Sequence, residues 1–63
     1  MNIEIKRSPN TNIDAYDLVI NGKVHVYAET MPVCDAIKFS LLNGPGTPYS
    51  EADEMADFLR DYV

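Results

Sequence analysis

Few side chains in this 63-residue chain could do covalent or metal chemistry: one cysteine, Cys34, one histidine, His25, and ten carboxylates, five of which fall between Glu51 and Asp61. A cysteine nucleophile needs a base and a group that orients the base. Cys34 and His25 stand in no such motif and fall on different elements, so Cys34 reads as a small apolar residue near a helix start. His25 reads as a partner for a neighbouring acid such as Asp17. Zinc would need more Cys and His than these two, and calcium a D-x-[DN]-x-[DN]-G run that the chain lacks. The two glycines of Gly44-Pro45-Gly46-Thr47-Pro48 carry no GxxxxGK[ST] pattern and lead into an acidic helix start, so they read as a helix–helix connector. No catalytic residue, metal or cofactor is assigned, and the expectation is that the protein is not an enzyme.

The carboxylates are the informative set. From Ser50 to Val63, five acids against the single base Arg60 give a charge of −4, whereas the other 49 residues carry only −1. Asp53, Asp57 and Asp61 recur at i, i+4 and i+8, with Glu54 beside them, so a helix places them in one row. Each like-charge i,i+4 neighbour costs about 0.2–0.5 kcal/mol. Asp61 also lies at the helix C-terminus, where the dipole disfavours a carboxylate. Local helix energetics therefore do not select this row; a basic partner surface would. Its members are about 6 Å apart along the axis, and with Glu54 included the density resembles the one charge per ~3.4 Å of a DNA strand. Mimicry of phosphates is then geometrically open, provided Glu29, Asp35 or Asp14 supply a second row. Removing the charges of Asp53, Asp57 and Asp61 is expected to weaken such docking while leaving the fold intact or slightly more stable.

Elements must hold these residues in place, and length bounds them: 63 residues form one domain that buries roughly 60% of its unfolded surface. With one cysteine there is no internal disulfide, which makes self-association a serious means of stabilisation. Asn2 to Arg7 alternates as a half-buried strand, and Ser8 to Asn12 reads as a turn. A second strand, about Asp14 to Ile20, meets a third, about Lys23 to Ala28, across Asn21-Gly22, a strong hairpin signal. A three-residue loop, Ile20-Asn21-Gly22, would put Tyr16, Leu18, Val24 and Val26 on one face and set Asp17 opposite His25. It is preferred to the two-residue turn, which mixes polar and apolar residues on both faces.

Thr30 as N-cap, Pro32 in the first turn and helical spacing of Val33, Cys34, Ala36, Ile37, Leu41 and Leu42 predict a helix ending at Asn43-Gly44. A last helix enters at Ser50 as N-cap, with Asp53 or Glu54 supporting its first turn. Its apolar stripe is Ala52, Met55, Ala56, Leu59 and Tyr62, flanked by Phe58 and Val63. The expected fold is α+β, one domain over residues 1–63: a three-stranded antiparallel meander covered on one face by two helices, β-β-β-α-α.

Four of the six aromatic residues are tyrosines. Tyr16 and Tyr62 suit the rim of a small core; Tyr27, outward on the hairpin, and Tyr49, beside the Pro-Gly loop, suit an interface. Partner-binding residues are accordingly expected among Asp53, Glu54, Asp57, Asp61, Tyr49 and Tyr27. Five bases argue against direct nucleic-acid binding. The N-terminus has no apolar signal region and no later stretch approaches a membrane span, which reads as cytoplasmic. In size and acidity the chain resembles, as a class, the small accessory proteins with which phages and mobile elements block host factors. That resemblance implies an inhibitor of a nucleic-acid-binding protein in the host cytoplasm. The leading expectation is a non-enzymatic interaction protein whose last helix docks on a basic protein surface. Its rival is a structural or accessory homo-oligomer, a dimer seamed at the sheet edge by Val19 and Tyr27, whose acidic face serves solubility.

Overall fold

The computed structural model describes residues 1–9 and 13–62. Asn10 to Asn12 of the expected first turn, and Val63, lie outside the described residues. The element order is β1 (Ile3–Arg7), β2 (Tyr16–Ile20), β3 (Lys23–Glu29), α1 (Met31–Asn43) and α2 (Ser50–Arg60). The three strands form one antiparallel sheet in the order β1-β2-β3. This is the expected α+β meander followed by two helices, with both sheet edges formed by the outer strands β1 and β3.

Alternation decides which side chains face the helices. Ile3 pairs with Ile20, Ile5 with Leu18, and Leu18 in turn with Val26, so their side chains share a face. They meet Val33, Ala36 and Ile37 of α1 and Ala52, Ala56 and Leu59 of α2 in one core. On the opposite face Val19 lies between Glu4 and Val24 of the neighbouring strands and is itself buried. It is therefore covered within the chain, and of the two residues named for a dimer seam only Tyr27 is exposed.

The hairpin corrects the expected register. Ile20 stands opposite Lys23, and Asn21 (φ 52°) and Gly22 (φ 84°) both occupy the left-handed region, which makes a two-residue turn. Of the apolar face that argued for a longer loop, a bulge keeps Leu18 and Val26 together, whereas Val24 falls on the opposite face beside Val19. Val19 faces Val24 but Leu18 faces Val26, so His25 is an extra residue on β3. A second irregularity follows, where Asp17 alone spans Tyr27 and Ala28 before Tyr16 meets Glu29. Ala28 is held at φ 53°, and its N–H donates to Asp17 Oδ1 at 2.9 Å. Asp17, only 7% exposed, thus completes this bulge and is not the partner of His25.

The first helix runs over the expected residues. Thr30 stands at the N-cap and its carbonyl accepts the Cys34 N–H at 3.0 Å, although its hydroxyl makes no cap bond. Gly44 at φ 96° closes the helix, its N–H donating to the Ser40 carbonyl at 2.8 Å. The second helix begins one position earlier than expected: Tyr49, not Ser50, is the N-cap, and its carbonyl accepts the N–H groups of Ala52 and Asp53. Among the described residues no helix is long and apolar enough to cross a membrane.

Candidate functional site

The acidic helix does not present its carboxylates as one uniform row. Asp53 reaches back over the connector, where its carboxylate accepts the Gly46 N–H at 3.2 Å, the Thr47 N–H at 3.3 Å and the Thr47 hydroxyl at 3.0 Å. Partial desolvation works to raise its pKa. The hydrogen bonds from Gly46 and Thr47, with a smaller contribution from Ser40, outweigh that and hold it below the usual carboxylate range. Asp53 therefore fixes the loop that delivers the chain into α2, a development of its expected first-turn role. Asp57 is ion-paired with Arg60, whose other guanidinium nitrogen donates to the Ser40 carbonyl and lies 3.3 Å from its hydroxyl. Arg60 is thereby turned toward α1. Glu54 and Asp61 remain exposed beside this pair.

Two acids named for a second row are also engaged within the chain: Glu29 accepts the Thr30 N–H at 2.9 Å, and Asp14 pairs with Arg7 at 3.0 Å.

Of the two tyrosines named from the sequence, Tyr49 adjoins Asp53, whose N–H its carbonyl accepts, and Tyr27 lies on a different element. Tyr27 lies on edge strand β3, 72% exposed. Tyr49 caps α2 and lines a shallow groove of about 420 Å³ with Pro32, Phe39 and Pro48. Phe58, expected to flank the apolar stripe, and Tyr62, expected at the rim of the core, instead form an exposed aromatic pair. Phe58 is 63% exposed and Tyr62 65%, and their rings lie with centroids 5.1 Å apart and planes tilted by 43°. Their i,i+4 spacing was the available signal. They stand one turn apart among Glu54, Asp57 and Asp61, at the mouth of a cleft between α2 and β3. That cleft, of about 550 Å³, is lined by Ile20, Lys23, His25, Phe58, Leu59 and Tyr62. A contiguous hollow of about 320 Å³ adds Val26, Glu54 and Met55. His25 belongs to the cleft because the bulge re-aims it to the helix side of the sheet.

Cys34 sits elsewhere, fully buried near the start of α1, with its thiol 3.7 Å from the Tyr16 carbonyl. Burial, and then the negative charges of Glu29, Asp35 and Asp17, push its pKa from 9.0 to about 11. It is protonated at neutral pH and a poor nucleophile. Among the described residues no group of three His, Cys, Asp or Glu side chains is gathered as a metal site requires. No protein-family model, curated protein or solved structure matches the chain.

Proposed function

We propose that the protein is a non-enzymatic interaction module that docks the outward face of α2 on a basic surface of another protein. The observation that carries this is the exposed Phe58–Tyr62 pair, rings in tilted contact, on the same stretch as the exposed acids Glu54, Asp57 and Asp61. Aromatic anchors supply most of the energy of small interfaces, and a rim of one charge sign steers the complementary partner and rejects others. Asp53, occupied by the connector, moves from partner contact to support. Where the basic surface is one that holds nucleic acid, occupying it would inhibit the partner, as the resemblance in size and acidity implies.

The test compares capture from the native cell by the wild-type chain and by a Phe58→Ala, Asp61→Lys variant at low and high salt. A partner held by the wild type at low salt, released at high salt and absent from the variant supports docking through this face. Equal capture of the same proteins by both chains overturns it.

A further inference from the structure

We propose that the cleft between β3 and α2 receives one face of a basic amphipathic helix from the partner, an inference that rests on the docking function above and names its partner class. The cleft exists because α2 lies along α1 and touches the sheet sparingly, so the β3 side of the core is left with a gap. Its floor is apolar and closely packed: Ile20 is 1% exposed, Val26 5% and Leu59 5%. Its walls are Lys23 and His25 on the strand and Glu54, Met55 and Phe58 on the helix, with Tyr62 just beyond the helix end.

Two kinds of segment could lie in such a trough, and the strand wall separates them. An extended segment would add to the β3 edge through a ladder of backbone hydrogen bonds. The bulges at His25 and Ala28 break the register of β3, and Ala28 turns its N–H inward to Asp17, so that edge offers no continuous ladder. A helix satisfies its own backbone and needs none. From Glu54 to Arg60 the α2 wall runs about 9 Å, and Tyr62 extends it past the helix end, which suits about two turns of a guest helix carrying apolar residues at i, i+3 or i+4, and i+7.

Charge sets the guest's sign and its orientation. Glu54 lines the α2 side, exposed Asp61 directly precedes Tyr62, and Arg60, the one base of that helix, is paired with Asp57 and directed to Ser40 of α1, away from the cleft. The opposite wall carries Lys23 and His25. Lysine or arginine on the guest belongs over α2, while the flank above β3 belongs to neutral or acidic residues.

The test uses the full chain and a synthetic peptide of about four helical turns. Its leucines fall on one helical face, its lysines on one flank of that face and neutral glutamines on the other. An isomer of the same composition with the leucines scattered, and a Leu/Glu version, are the controls. Amide shifts in NMR titrations should map to His25, Val26 and the Glu54–Tyr62 stretch. The Leu/Lys helix should bind at least about tenfold tighter than either control, and Phe58→Ala should weaken it about tenfold, with its own spectrum confirming the fold. Equal binding of the scattered isomer, shifts centred on the Phe39–Tyr49 groove, insensitivity to Phe58→Ala, or no saturable binding below about 1 mM would each overturn the inference. If the cellular partner still depends on Phe58 and Asp61 while no helix enters the cleft, the docking function stands and only the helical guest falls.

Discussion

Asp17 is the buried carboxylate on which the shape of β3 depends, and replacing it gives a graded prediction. Its Oδ1 accepts the Ala28 N–H at 2.9 Å, at the point where Ala28 is held at φ 53°. Asp17→Ala leaves that donor without its partner. A lost hydrogen bond to a charged acceptor costs about 1.5–3 kcal/mol when the donor is sealed from water. Here Ala28 is exposed enough for water to replace part of the bond, and removing a carboxylate that is only 7% exposed recovers some of its desolvation cost. The expected net loss is about 1–2 kcal/mol. In a chain of this size that is large, because about 0.05–0.15 kcal/mol per residue gives a total stability of roughly 3–9 kcal/mol, and each kcal/mol moves Tm by about 4–8 °C. Asp17→Asn keeps an acceptor oxygen and should lose less than about half as much. Both variants remove one of the negative charges that raise the Cys34 pKa, so thiol alkylation against pH should show a lower titration in each. Urea unfolding and calorimetry read the stabilities. An Asp17→Ala chain as stable as wild type, or an Asn variant as damaged as the Ala variant, would refute the role given to this carboxylate.

Other expectations follow from the same geometry. Cys34 should resist alkylation at neutral pH in the folded chain. Because its folded pKa is raised, its contribution to stability is fully present below about pH 9 and is lost as the pH climbs to about 11, and a Cys34→Ala chain should lack that alkaline loss. Asp53→Asn should speed hydrogen exchange at the Gly46 and Thr47 amides. Since the Asp53 pKa is depressed, the wild-type connector should show the same loosening as the pH falls through and below the usual carboxylate range; unchanged exchange in both would refute its role. Gly22→Ala meets no atom within 4 Å, yet should cost about 1 kcal/mol in chemical denaturation, because φ 84° is unfavourable for any residue with a Cβ. Phe58→Ala, at a site 63% exposed, should leave Tm within about 0.5 kcal/mol equivalent of wild type.

The sequence made the order of elements readable because each boundary carries a local signal: alternation in β1, Asn21-Gly22 at the turn, Pro32 at the start of α1 and Asn43-Gly44 at its end. What stayed hidden depends on cross-strand accounting. A period of two assumes an unbroken register, and nothing local marks His25 as an extra residue or Ala28, which is not a glycine, as left-handed. Asp17 could be placed only once Ala28 had turned its N–H toward it. The acidic row was legible as spacing, but the use of Asp53 inside the chain required knowing that residues 44–49 fold back over the first turn of α2. Phe58 and Tyr62 were visible as an i,i+4 pair. Their exposure was not, since the same residues would have closed the core had α2 leaned further onto β3.

The position of α2 along α1 divides the labour of the helix between two sets of residues. Ala52, Ala56 and Leu59 are buried and hold it to the rest of the protein, whereas Glu54, Phe58, Asp61 and Tyr62 are exposed. Selection can therefore rewrite the second set without endangering the first. A library randomised at those four positions should yield mostly folded members, so recognition could drift from one target to another faster than the fold itself.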